Sequence, residues 1–132
     1  MDFVSIRIIT ADVARLVGFY ERALAVRAQW ATEDFAELRT PGATLAIAGT
    51  RTVPLFAPGS ARPAANQSVI TEFLVDDVDR VAHDLAEFVT DFVTEPTTMP
   101  WGNRSLLFRD PDGNLVNFFT PVTPAALARL AR

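Results

Sequence analysis

The sequence predicts an α+β fold made of two βαβββ repeats followed by a short C-terminal helix. Three observations carry this expectation. Residues 4 to 16, VSIRIITADVARL, overlay residues 69 to 81, VITEFLVDDVDRV, with Val4 on Val69, Asp12 on Asp77, Val13 on Val78 and Arg15 on Arg80. Downstream, RTPGATLAI (39 to 47) overlays RDPDGNLVN (109 to 117) at an offset of about 70. Each first segment reads as an alternating strand running into an Asp-capped helix, and each second as two strands joined by a tight Pro/Gly turn.

The elements follow in order. In the first repeat, about residues 1–50, a helix from about Asp12 to Leu24 puts Val13, Leu16, Val17, Tyr20 and Leu24 on one face at 3.6-residue spacing. In the second, about 68–121, a helix from about Asp77 to Phe88 does the same with Val78, Val81, Ala82, Leu85 and Phe88. Both faces are expected to be core, lying against a sheet. Between the repeats, about 50–67, TRTVPLFAPGSARPAANQ carries three of the nine prolines and reads as a linker, with Val53 to Phe56 able to pair as a strand. Thr123 and Pro124 read as the N-cap and first residue of a C-terminal helix reaching Arg132.

Composition excludes several function classes. The chain has 132 residues, 49% hydrophobic and 21% charged, which suits one packed domain rather than a disordered chain. It has no cysteine, so disulfides, thiolate metal sites and cysteine nucleophiles are excluded, and the cytoplasm is the simplest compartment. The start MDFVSIRIIT lacks the features of a secretory signal, and no apolar run approaches the roughly 20 residues of a membrane span. A formal charge of −4 with arginines scattered among acids offers no basic stripe for nucleic acid. It suits a neutral or cationic ligand better.

The paired repeats, the HDxVD-like strand-to-helix joints and above all FRDPDGNLVNFF (108 to 119), preceded by PWGNR (100 to 104), resemble the vicinal oxygen chelate superfamily. That superfamily contains glyoxalase I, extradiol dioxygenases and bleomycin-resistance proteins. The resemblance covers nearly the whole chain. It implies curled mixed sheets forming cups around a cavity, commonly within a homodimer, and four strand positions that hold a metal in the metal-dependent members. Those positions correspond here to Ser5 and Ile70 on the first strands and to Ile47 and Asn117 on the last strands. A divalent metal requires converging imidazole, carboxylate or thiolate donors, which two isoleucines cannot supply. The one histidine, His83, falls in the second helix and reads as a partly exposed helical residue. No metal and no other cofactor is therefore expected, and metal-dependent glyoxalase I or dioxygenase chemistry is disfavoured.

Strand alternation places Arg7 beside Ser5 and Glu72 beside Ile70, at equivalent points of the two repeats. The two charges would meet as a salt bridge, reach solvent at strand ends or hold a polar ligand. Glu72 is the only candidate general base, and nothing places a second acid beside it. Trp30, Phe35, Trp101 and Phe119 are candidate aromatic walls, with core packing as the competing reading. Arg104 is either an anion or carbonyl contact or half of a surface salt bridge. The expected ligand-cavity residues are thus Ser5, Arg7, Trp30, Ile47, Ile70, Glu72, Trp101, Arg104, Asn117 and Phe119. These expectations favour a metal-independent protein binding an aromatic or planar small molecule. An enzyme with a non-standard site, of lyase, isomerase or dioxygenase-like type, and a structural dimer with its cups filled by Ile9, Ile47, Ile70 and Leu74 stay as alternatives.

Overall fold

Asp12 and Asp77 begin the two long helices in the same way. Asp12 Oδ1 accepts from the Arg15 backbone N–H at 3.1 Å, and Asp77 Oδ1 from that of Arg80 at 3.2 Å. Each aspartate satisfies a donor that the first helical turn leaves open. The computed structural model describes residues 1–131, and the chain divides into two compact units, 1–66 and 67–132.

In the first unit β1 (Ser5–Thr10) leads into α1 (Val13–Leu24), followed by β2 (Gln29–Thr32), β3 (Phe35–Arg39) and β4 (Thr44–Gly49). The sheet order is β1-β4-β3-β2, with β1 parallel to β4 and the other pairs antiparallel. Val13, Leu16, Val17 and Tyr20 of α1 are buried, as are Ala36, Leu38, Leu45 and Ile47 of the sheet. The 3.6-residue stripe of the helix therefore forms the core.

Within the expected linker, Val53 to Phe56, which could have paired as a strand, is a helix. A 3₁₀ turn (Thr50–Thr52) runs into α2 (Val53–Phe56), with Pro54 in its first turn. Proline there loses no hydrogen bond and is pre-set for helix, whereas in a strand it would remove a ladder donor. Val53 is buried, so this part of the expected linker is anchored to its unit.

The second unit repeats the plan with β5 (Ile70–Leu74), α3 (Val78–Leu85), β6 (Thr97–Thr98), β7 (Asn103–Arg109) and β8 (Leu115–Pro121), in the order β5-β8-β7-β6. Helix α3 ends three residues before the expected Phe88. The Leu85 carbonyl accepts from both Phe88 and Val89, at 3.1 and 2.8 Å, in a tightened last turn. The core is aromatic: the Phe118 ring meets Phe108 edge-on at 5.0 Å and Phe73 at 5.6 Å, against buried Val78 and Leu85. After β8, Thr123 caps α4 (Pro124–Leu130), its hydroxyl accepting from Ala126 N–H at 3.2 Å. The expected end of that helix at Arg132 lies outside the described residues.

The two Pro/Gly turns differ by one residue. Arg39 pairs with Thr44, leaving Thr40 to Ala43 as the turn, whereas Arg109 pairs with Leu115, leaving Asp110 to Asn114. In the longer turn Gly113 has φ +82°, a conformation that favours glycine. Asp110, buried, gathers the Asp112 and Asn114 backbone N–H groups on Oδ1, each at 2.9 Å, and the Asn114 side-chain amide on Oδ2 at 2.8 Å.

Candidate functional site

On the second sheet the register Glu72↔Asn117↔Leu107 brings three side chains into line on the face turned away from α3. Alternation adds Ile70 and Leu74 from β5, Leu115 and Phe119 from β8, and Ser105 and Arg109 from β7. The result is a polar pair in a largely apolar surround. Asn117 Nδ2 donates to Glu72 Oε2 at 2.8 Å. Asn117 is only 9% exposed and its Oδ1 has no protein partner, while Glu72 is exposed. Arg109, on the same face, has its guanidinium drawn to the turn end of the sheet, where Nη1 donates to the Gly113 carbonyl at 3.0 Å.

The equivalent face of the first sheet carries Ser5, Arg7 and Ile9, with Thr44, Ala46 and Ala48 opposite. Arg7 stands at the place that Glu72 holds in the other unit, and its guanidinium lies over the rings of Phe35, at 4.6 Å, and Phe56, at 5.2 Å. A guanidinium stacked on two rings keeps its N–H groups at its edge. Each of the two charges singled out in the sequence thus has a partner inside its own unit, Arg7 on aromatic faces and Glu72 on an amide.

Four of the expected cavity residues lie elsewhere. Ile47 pairs with Ile8 and Ala36 on the helix side of the first sheet and is fully buried there. Because the first turn is one residue shorter, Ala46, not Ile47, is the register counterpart of Asn117, and a shift of one residue exchanges the faces of a strand. Trp30 pairs with Ala36, so it too belongs to the helix side, at the sheet edge and 47% exposed. Arg104 is on the helix side of the second sheet, tied to Asp79 in α3 by two hydrogen bonds, Nε to Oδ2 at 2.8 Å and Nη2 to Oδ1 at 3.0 Å. It is a surface ion pair. Trp101 sits in the turn between β6 and β7, 57% exposed, its carbonyl accepting from Arg129. Ser5, Arg7, Ile70, Glu72, Asn117 and Phe119 occupy the helix-free faces of their sheets. Phe56, the second ring beneath Arg7, lies two residues past Pro54 in a segment that reads as linker, so no local signal marks it as a partner. Leu107 and Ser105 were reachable by carrying the alternation of β8 across the hairpin to β7.

The Arg104 guanidinium holds the Asp79 carboxyl below its ordinary value of 3.8. A lowered folded pKa means that the unfolded chain binds the proton more readily. The pair's contribution is therefore complete above about pH 4 and is lost as pH falls through the folded value. Asp79→Asn is expected to change the thermal midpoint little at neutral pH, since exposed pairs contribute little. It should also remove part of the stability loss below about pH 4, which melts of both proteins across that interval would show.

A divalent metal does not fit the strand positions described. Ser5, Ile70, Ala46 and Asn117 offer no imidazole, carboxylate or thiolate, and Ile47 faces away. Among the described residues no three His, Cys, Asp or Glu side chains cluster, and His83 is exposed on α3.

The model of the Glyoxalase/Bleomycin resistance protein/Dioxygenase superfamily matches residues 2–118. The chain belongs to this superfamily. Its solved relatives share the fold at low identity. A glyoxalase/bleomycin resistance protein/dioxygenase family enzyme from Burkholderia phytofirmans PsJN superposes with a TM-score of 0.79 at 18% identity, covering 92% of this chain and all (100%) of its own. A glyoxalase/bleomycin resistance protein/dioxygenase from Nocardioides gives 0.76 at 21% identity, covering 94% and 85%. A protein of unknown function from Agrobacterium tumefaciens gives 0.78 at 25% identity, covering 91% and 94%. No curated protein matches. Among the described residues of this superfamily member, no helix is long and apolar enough to cross a membrane.

Proposed function

We propose that this superfamily member is a metal-independent binding protein for an aromatic or planar small molecule, held against the sheet face that carries Glu72 and Asn117, and that it works as a cytoplasmic homodimer. One observation carries the reading. The strand positions that would hold a metal carry none of its donors, yet at one of them Asn117 is hydrogen-bonded to Glu72, on a face that also carries Ile70, Leu74, Leu107, Leu115 and Phe119 with Ser105 and Arg109. A few fixed polar groups on an apolar wall are the usual makeup of a small-molecule site. The homodimer is what the superfamily commonly forms, and the sheet edges and exposed apolar side chains, Phe3, Leu55 and Phe56 among them, support it.

Native mass spectrometry with elemental analysis on freshly purified protein tests the reading. The expected result is a dimer with no stoichiometric transition metal and a carried-through organic mass. A stoichiometric metal would overturn it. A second reading, a lyase or isomerase with Glu72 as general base, is favoured by the Asn117 amide, which fixes one carboxylate oxygen and leaves the other for a substrate proton. Turnover in the presence of EDTA would distinguish it.

A further inference from the structure

Among the described residues two buried side-chain oxygens lack a partner, Asp112 Oδ2 and Asn117 Oδ1. The first belongs to the β7–β8 turn. The second lies at the centre of the helix-free face of the second sheet, and the orientation of its amide is determined. With Nδ2 donating to Glu72, Oδ1 turns away from the carboxylate. The flipped amide would set oxygen against oxygen, so the hydrogen-bond network fixes the assignment. The buried atom of the pair that lacks a partner is then an acceptor, Asn117 Oδ1, and it stands beside the lone pairs of the Glu72 carboxylate that Nδ2 does not use; the second Nδ2 hydrogen is the one donor left over. A buried acceptor left unmade costs about 1–3 kcal/mol. In the empty protein a water molecule can fill that role, and a ligand N–H would displace it.

We infer that Asn117 and Glu72 recognise an organic cation with N–H donors, a primary ammonium or amidinium on an aromatic or aliphatic body, standing where metal-dependent relatives would hold a metal ion. This rests on the small-molecule binding reading above and names its ligand class. Three observations agree on it. The buried atom left without a partner is an acceptor, the neighbouring group is a carboxylate, and the surrounding Leu107, Leu115 and Phe119 suit an apolar body. Among the described residues, the one cation that alternation puts on this face, Arg109, is held back at the Gly113 carbonyl. The chain's net charge of −4 favours the approach of a cation.

The test uses the full-length chain and three matched probes, 2-naphthylmethylamine, 2-naphthalenemethanol and 2-naphthoate, titrated calorimetrically at neutral pH. The amine should bind about tenfold or more tightly than the alcohol, as a charge-assisted hydrogen bond requires, and the carboxylate most weakly. Glu72→Gln, at an exposed position, should abolish that preference. Asn117→Leu, which removes the unpaired acceptor, should abolish it too without lowering the thermal midpoint. Equal binding of amine and alcohol, or tighter binding of the carboxylate, overturns the cation assignment and leaves the binding reading standing. Failure of all three probes overturns the assignment as well, and the native mass spectrum then decides separately whether the binding reading survives.

Discussion

Phe118→Ala is expected to destabilise the protein by about 4 kcal/mol, in the range of Phe→Ala changes in packed cores. Phe118 is 1% exposed and stands between Phe73 and Phe108, meeting both rings edge-on at 5.6 and 5.0 Å. Its removal loses the apolar transfer energy of the ring, two edge-to-face contacts worth about 0.5–1.5 kcal/mol each, and leaves a cavity between β5 and β7. Helix α3 rests on this cluster through Val78 and Leu85, so collapse of the cavity would shift the helix. Urea denaturation should show a lower midpoint with little change in slope. Phe56→Ala is the control. Phe56 is 74% exposed, and its loss should cost well under about 1 kcal/mol.

Gly102→Ala is expected to cost about 3 kcal/mol although it adds a single methyl group. Two effects combine. Gly102 has φ +92°, where an L side chain is strained by about 1–3 kcal/mol. A Cβ built there would also lie 2.0 Å from Thr123 Oγ1 and 3.0 Å from Thr123 Cβ. Thr123 is the N-cap of α4, and displacing its hydroxyl from Ala126 N–H removes a cap worth about 1 kcal/mol. The signature is local as well as global: amide hydrogen exchange in α4 should accelerate more than in α3, whose cap at Asp77 is untouched. Equal acceleration in both helices would contradict the capping account.

The repeat was legible because its signals are local. Asp12 and Asp77 cap their helices through the N–H group three residues on, and the apolar stripes of α1 and α3 read directly as the buried faces. What stayed hidden depended on register. Ile47 and Asn117 occupy matching places in the two overlaid turn sequences, but a turn shorter by one residue turns Ile47 to the helix and makes Ala46 the true counterpart. Trp30 reads as a candidate aromatic wall, and its pairing with Ala36 places it on the helix side. The sequence reads Arg104 equally as a ligand contact or a salt bridge, because which acid it meets depends on how α3 packs on β7. The Glu72–Asn117 bond joins residues 45 apart in sequence. Alternation put both on one face, and only the parallel pairing of β5 with β8 put them side by side.

The unequal turns also decide where new chemistry can be grafted onto this chain. A histidine or carboxylate introduced by overlaying one repeat on the other would go to Ile47, and would enter the packed interior beneath α1 with no solvent and no partner. Placed one residue earlier, at Ala46, the same side chain would stand between Arg7 and Glu37 on the helix-free sheet face. The missing residue of the first turn thus acts as a reading-frame offset for any designer working from the second repeat.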